Sequence, residues 1–251
     1  MKLALLSDIH GNLQALEACL AHARAHQAQR FFFLGDMVGY GADPGAVVQR
    51  IMQLTAEGAQ ALLGNHDAMA LSPPAQVKTV GDSTAAWTHR QLDPAQRAWM
   101  ASLPLTLQLE ATLLVHASAN QPELWRYVYD QRAATASLDA ASTQWPGVQY
   151  VFGGHVHEQT LYYRGAGHDL MKFTPQPGVA IPVPRHRQWL GTIGSVGQPR
   201  DGKPHAMYAL FDPERAQLTF HRVPYDHQSA AAAIRRAGLP DFFADRLEKG
   251  R

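Results

Sequence analysis

Five short segments carry the side chains most able to do chemistry. They read Ser7-Asp8-Ile9-His10-Gly11-Asn12, Leu34-Gly35-Asp36, Leu63-Gly64-Asn65-His66-Asp67, Val115-His116 and Gly153-Gly154-His155-Val156-His157. Each follows an apolar run, at the point where a strand would end and a loop begin. If those strands share one sheet system, their ends bring eight oxygen and nitrogen ligands to one edge: Asp8, His10, Asp36, Asn65, His66, His116, His155 and His157. That set suffices for two metal ions, which is the chemistry of a metal-dependent hydrolase. In extended chain, residues i and i+2 point the same way, so Asp8 and His10 can reach one ion, and His155 with His157 repeats the spacing. Each motif alone is weak, because a lone His-x-His is more often a packed pair and Gly, Asn and Asp favour turns anyway. Their joint occurrence at successive strand ends carries the reading.

The elements that must position these residues alternate in the first half. Leu3–Leu6 reads as a strand, an amphipathic helix starts at Leu13 and fades near Gln29, and Phe31–Leu34 is the next strand. A glycine-rich loop runs from Gly35 to Asp43, and Pro44 suits the first turn of a helix reaching about Thr55. Ala59–Leu63 is a third strand, and this βαβαβ rhythm of apolar strands predicts a parallel sheet covered by helices. Ser72–Ser102 reads as a helical excursion over the sheet edge, and Leu105–Leu109 with Thr112–Val115 as a hairpin. A helix near Arg132–Ala140 and a strand at Val148–Phe152 follow. After His157, short apolar runs alternate with glycine and proline, which suggests an antiparallel meander forming a second sheet on the first. A helical tail from His227 to Leu247 closes the chain, and residues 1–251 are expected to form one domain.

Composition narrows the class. A chain of 251 residues with 46% hydrophobic content can bury a sizeable core. The net charge of +1 offers no bulk attraction to nucleic acid or to an anionic membrane. One cysteine, Cys19, excludes an intramolecular disulfide and a thiolate metal cluster. No signal segment precedes Leu3, and no apolar stretch approaches the roughly 18–20 residues of a spanning helix. A soluble cytoplasmic protein is the expectation.

The ordered motif set resembles the calcineurin-like metallophosphoesterases. Gly35-Asp36-Met37-Val38-Gly39-Tyr40-Gly41 and Gly194-Ser195-Val196-Gly197-Gln198-Pro199-Arg200-Asp201-Gly202 extend the likeness, the latter towards a small bacterial and archaeal phosphodiesterase branch. Trp87-Thr88 and Leu103-Pro104 match that branch too. The resemblance implies an α/β fold of two packed mixed sheets flanked by helices, a four-layer sandwich with its metal site at the strand C-terminal ends. By the same resemblance, Asp8, His10 and His157 would hold one metal and Asn65, His116 and His155 the other, with Asp36 bridging. Mn²⁺ is the expected ion, with Fe, Zn²⁺ or Ni²⁺ as alternatives. A bridging hydroxide would attack phosphorus in line, and His66 would act as general acid or as an electrostatic partner of the transition state. The implied substrate is a small phosphodiester or phosphomonoester, including nucleotides; homo-oligomerisation is left open.

Departures from related patterns refine this. Gly39-Tyr40 stands where serine/threonine phosphoprotein phosphatases carry Asp-Arg, and Asp67 where they carry Glu. The missing arginine removes a bidentate phosphate clamp, which disfavours a phosphoprotein substrate. The orienting partner of His66 is missing as well. Ser118-Ala119-Asn120 also differs from the Ser-Pro-Arg of many relatives. A non-catalytic protein-binding scaffold of the same fold is the alternative class, although such a scaffold gains nothing from eight polar side chains at one edge. A DNA-processing nuclease is weaker still, since no basic stretch is present. His22, His26, His89, His168, His186, His205, His221 and His227 read as surface or packing residues. Arg185, Arg187, Arg200 and Lys203 read as solvated charges sooner than as a phosphate patch. Trp87, Trp99 and Trp125 read as core sooner than as the wall of a cleft.

Overall fold

The computed structural model describes residues 1–165 and 170–251. The chain runs β1 (Leu3–Leu6), α1 (Leu13–Ala25), β2 (Arg30–Phe33), α2 (Pro44–Ala56), β3 (Gln60–Ala61), α3 (Asn65–Leu71), α4 (Asp82–Gln91) and α5 (Pro94–Ala101). It continues with β4 (Thr106–Leu109), β5 (Thr112–Val115), α6 (Gln131–Gln144), β6 (Tyr150–Gly153), β7 (Gln159–Arg164) and β8 (Leu170–Phe173). The last elements are β9 (Ala180–Pro182), β10 (Trp189–Ile193), β11 (His205–Asp212), β12 (Gln217–Pro224), α7 (His227–Arg236) and α8 (Asp241–Lys249).

The strands make two six-stranded sheets, ordered β3-β2-β1-β11-β12-β9 and β4-β5-β6-β10-β7-β8. As expected, β1, β2 and β3 pair in parallel. The later strands do not form a second sheet by themselves: β9, β11 and β12 join the first sheet, whereas β7, β8 and β10 join the hairpin and β6 in the other. β1 accepts β11 as an antiparallel neighbour, and β10 lies parallel to β6. The reason lies in long-range pairing, because an apolar run with period two does not specify which edge it will meet.

Alternation of side chains builds the layers. Leu3 and Leu5 face an intersheet core with Phe32, Phe152, Phe211 and Phe220, while Ala4 and Leu6 face the core beneath α1 and α2. In the other sheet, Leu114, Tyr150 and Phe152 turn inward, and Leu113, Val115 and Val151 pack against α6. Helix, sheet, sheet, helix is the four-layer order expected. Each buried phenylalanine contributes about 1.5–3 kcal/mol relative to leaving it in water.

Helix starts follow local chemistry. Asn12 caps α1 by accepting from the Ala15 N–H, and the Asp93–Gln96 capping box opens α5 with Pro94 in its first turn. The excursion after Leu71 consists of α4 and α5, and the tail is two helices broken around Gly238, not one. α7 and α8 bury Ile234, Phe243 and Leu247 against Tyr40 and Trp87, which brings the tail beside the strand-end loops. Among the described residues, no helix is long and apolar enough to cross a membrane.

Candidate metal centre

The loops after β1 and β2 are zipped together beyond the sheet. The Asp8, His10 and Gly11 N–H groups donate to the Gly35, Asp36 and Met37 carbonyls at 3.0, 2.9 and 2.9 Å. On the other side, the Val196 and Gly197 N–H groups donate to the Ser7 and Asp8 carbonyls. Asp67 adds a strut: its carboxylate accepts from the Val38 N–H at 3.1 Å and the Gly64 N–H at 3.0 Å. Burial, reinforced by the nearby Asp36 charge, pushes the Asp67 carboxyl up to about 7. Close approach here demands glycine. A Cβ on Gly154 would collide with Ser7 Oγ and Asp8 Oδ2.

All eight residues singled out in the sequence lie together at this edge, and the two carboxylates are treated alike. The His66 N–H holds Asp36 Oδ1 at 2.8 Å, and the His155 N–H holds Asp8 Oδ2 at 2.9 Å. The second oxygen of each is then aimed inward. Asp36 Oδ2 lies 3.8 Å from His10 Nε2 and 3.3 Å from His116 Nε2, so one carboxylate reaches both halves of the site. Asp8 Oδ1 lies 3.2 Å from His157 Nε2 and has no hydrogen-bond partner.

The imidazoles are locked from behind. His10, His116 and His157 present Nδ1 to the carbonyls of Val38, Leu34 and Gln198 at 3.1, 2.8 and 2.6 Å. A carbonyl only accepts, so each Nδ1 carries a proton, and each ring, when neutral, turns an Nε2 lone pair inward. Two of those lone pairs, on His10 and His157, face each other at 3.1 Å. His116 Nε2 also faces Asn65 Oδ1 at 3.0 Å, and His155 Nε2 is buried without a partner. Lone pairs and carboxylate oxygens converging in a dry edge repel unless a cation sits among them. At this edge, among the described residues, two groups can hold an ion, Asp8–His10–His157 and Asp36–His116–His155, with the ligand atoms of each within 4.8 Å of one another. Fully oxygen and nitrogen donors suit first-row divalent ions.

Electrostatics reflects the crowding. Burial raises the Asp8 and Asp36 carboxyls, but the facing imidazoles, His157 and His116 respectively, override it and hold both below the ordinary range. Burial and His157 push His10 well down. Burial and His116 lower His155 to about 4. His116 alone is drawn up, to about 9, because the Asp36 charge outweighs burial.

The backbone supplies what an extended chain would not. Asp8, His10, Asp36, His155 and His157 all have positive φ, between 50° and 67°. The same-side argument for i and i+2 therefore does not describe the loops. Asp8 and His10 share one group, whereas His155 and His157 diverge into different ones. Nor does Asn65 end a strand, since it opens α3, so Asn65, His66 and Asp67 project from a helix first turn.

His66 is oriented by packing. Its ring lies 4.4 Å from that of Tyr40 and 5.1 Å from that of His10, and burial lowers its pKa. Tyr40, at φ 63°, also packs on Phe243 of α8. The Arg200 guanidinium lies beside the Tyr40 hydroxyl, which burial pushes up to about 12 despite it. Sequence reading missed both roles: Tyr40 appeared only as a lost arginine, and Arg200 as one of four solvated charges. Arg185 instead bonds the Pro213 carbonyl, and Arg187 lies over the Tyr163 ring.

An open cavity of about 450 Å³ beside the centre is lined by Asn65, Trp125, Tyr127 and His155. Tyr127 stacks on His155 at 3.9 Å and on Tyr129 at 4.8 Å. Trp125 thus forms a wall, whereas Trp87 and Trp99 pack against core as expected. Among the other histidines, His186 is exposed, and His89 Nδ1 bonds the Ala70 carbonyl. His22, His26 and His221 converge instead of scattering. His168 lies outside the described residues.

Comparisons with known proteins match this architecture. Residues 1–216 match the model of the calcineurin-like phosphoesterase superfamily domain. A metallophosphoesterase of Sphaerobacter thermophilus superposes with a TM-score of 0.87 at 33% identity, covering 100% of this chain and 99% of that one. An uncharacterised protein of Methanocaldococcus jannaschii is 29% identical over 255 residues, 99% of this chain and 98% of its own. A symmetrical bis(5'-nucleosyl)-tetraphosphatase of Bordetella pertussis is 33% identical over 116 residues, 45% of this chain and 42% of that protein.

Proposed function

This chain belongs to the calcineurin-like phosphoesterase superfamily, and on that premise we propose that it is a dinuclear-metal phosphoesterase acting on a small phosphodiester or phosphomonoester. The carrying observation is the pair of carboxylates, each tethered through one oxygen by a backbone N–H, whose other oxygens face imidazole Nε2 atoms. That arrangement becomes favourable when positive charge occupies it.

In this reading Asp8, His10 and His157 would hold one ion and Asn65, His116 and His155 the second, with Asp36 within reach of both groups. Two divalent ions, when bound, acidify water and neutralise phosphoryl oxygens. Mn²⁺ is the ion we expect, with Fe, Zn²⁺ or Ni²⁺ admitted by the same donors. His66 delivers a proton to the leaving oxygen from a ring that Tyr40 keeps in place. Burial lowers the pKa of the free ring, so as general acid it would act as the imidazolium, favoured once the substrate's negative charge lies beside it. Arg200 supplies a phosphate contact from a different loop from the arginine that Tyr40 replaces.

The aromatic wall of Trp125, Tyr127 and Tyr129 supports a substrate with a flat group, and stacked rings of this kind accept a nucleobase. The partial likeness to a bis(5'-nucleosyl)-tetraphosphatase supports the same choice. We take residues 1–251 as one functional unit, because α8 packs Phe243 onto Tyr40. The test is hydrolysis of an aryl phosphodiester, phosphomonoesters and dinucleoside polyphosphates with Mn²⁺, Zn²⁺, Fe²⁺ and Ni²⁺ in turn. Turnover with at least one pairing is expected; no turnover with any would remove the reading.

A further inference from the structure

Three histidines, one of them about two hundred residues from the other two, meet on the helix-covered face of the first sheet. His22 lies in the last turn of α1 and His26, four residues on, is the C-cap of that helix. His221 comes from β12, beside its antiparallel partner Tyr208 on β11. The ring centroids of His22 and His26 lie 4.1 Å apart, and those of His221 lie 5.1 and 5.0 Å from them. One ligand atom from each ring falls within 4.8 Å of the other two.

The outward nitrogens are already engaged. His26 Nδ1 bonds the His22 carbonyl at 2.9 Å, which fixes its proton there and leaves a lone pair on Nε2. His22 Nδ1 pairs with the Tyr208 hydroxyl at 2.7 Å. Ligating histidines are held in this way, with the far nitrogen on a carbonyl or hydroxyl. His221 is only 7% exposed, and its Nε2 is buried with no hydrogen-bond partner among the described residues. A buried ring nitrogen left unpaired beside two other imidazoles is the observation that points to a ligand.

We propose that His22, His26 and His221 form a third metal site, for a divalent transition ion of the Zn²⁺, Ni²⁺ or Cu²⁺ class. Imidazole donors suit those ions and not Mg²⁺ or Ca²⁺. Nitrogens around such an ion lie about 2.0–2.1 Å from it, so the rings close in slightly on binding. The exposed His26 has the freedom to do so. A cleft of about 480 Å³ opens beside them and leaves room for a water at the remaining position. The cations lining it have their own partners: Lys2 donates to the His26 carbonyl at 3.1 Å, Arg222 pairs with Asp201, and Arg215 lies 3.8 Å from Asp212. α1 starts beside the His10 loop and rises about 1.5 Å per residue, so its two histidines lie about 14–20 Å further along. The site would bind independently of the sheet-edge centre and tie the last turn of α1 to β12.

The experiment is equilibrium dialysis of the full chain against Zn²⁺, with metal content read by mass spectrometry. An Asp8→Asn/Asp36→Asn variant clears the sheet edge, so failure of phosphoesterase activity does not touch the result. That variant is expected to retain one zinc equivalent per chain, lost when His26→Gln or His221→Gln is added. Nitrogen hyperfine coupling from Cu²⁺ bound to the same variant should vanish with it. His26→Gln alters an exposed position at the C-cap of α1 and keeps the fold, so its comparison with wild type stands if the double variant unfolds: wild type should hold one equivalent more. Zinc that is absent, or that survives both histidine substitutions, overturns the proposal.

Discussion

The sheet-edge centre and the α1–β12 histidine cluster use the same imidazole chemistry and are built in opposite ways. At the edge, five candidate ligands sit at positive φ, buried, with each carboxylate tethered by a backbone N–H. In the cluster, one histidine occupies an ordinary helix position, the second caps that helix and the third lies in an ordinary strand, and His26 is exposed. Non-glycine residues in the left-handed region cost of order 1–3 kcal/mol each and persist only where neighbours over-determine them. The zipped loops, the Asp67 strut and the collision awaiting any side chain at Gly154 are those neighbours. Strain thus accompanies the centre whose geometry must be held closely. A site that only ties a helix to a strand can rest on regular backbone.

That contrast can be broken or sharpened by substitution, beginning with the largest effect. Asp36→Asn removes the oxygen common to both halves of the edge. Phosphoester turnover should fall by on the order of 10³-fold or more, with loss of edge-bound metal in the same samples. His66→Ala should lower kcat by roughly 10²–10⁴-fold while metal content stays at the wild-type level; loss of metal alongside activity would show that His66 is a ligand. Gly154→Ala displaces Asp8 from behind and should weaken metal binding by about 10–100-fold, measured by competition with a chromogenic chelator. Equal affinity would mean the loops are not over-determined.

The cluster should respond more mildly, and through acid. Burial, together with His22 and His26, lowers His221 from 6.5 to about 4 in the folded chain. Between those values the unfolded chain binds the proton first, so this contribution to stability is present above pH 6.5 and is lost as pH falls towards 4. Denaturant melts in chelator should show that loss, and His221→Gln should flatten it. His26→Gln, at an exposed position, should shift chelator-treated stability by no more than about 0.5 kcal/mol.

Much of the edge was legible because its residues announce themselves locally. Histidine and carboxylate after an apolar run, with glycine alongside, marked Asp8, His10, Asp36, Asn65, His66, His116, His155 and His157, and the structure gathers all of them. Period-two alternation likewise placed Leu3 and Leu5 on one face and Ala4 and Leu6 on the other. The orienting role of Tyr40 was hidden, since its partner Phe243 lies about two hundred residues further on and nothing nearby signals it. Arg200 was hidden for the same reason. The His22–His26 spacing was visible, but its third member depends on which strand β11 pairs with.

By itself, the order of residues determined the elements, their buried faces and the chemical types at the strand ends, because these follow from local preference and periodicity. Tertiary structure alone decided which sheet each late strand joined. It also decided which histidine faced which carboxylate, and that three unremarkable histidines would meet. Those outcomes come from contacts between distant segments, where backbone hydrogen bonds and packing select one partner among several that the local pattern leaves equivalent.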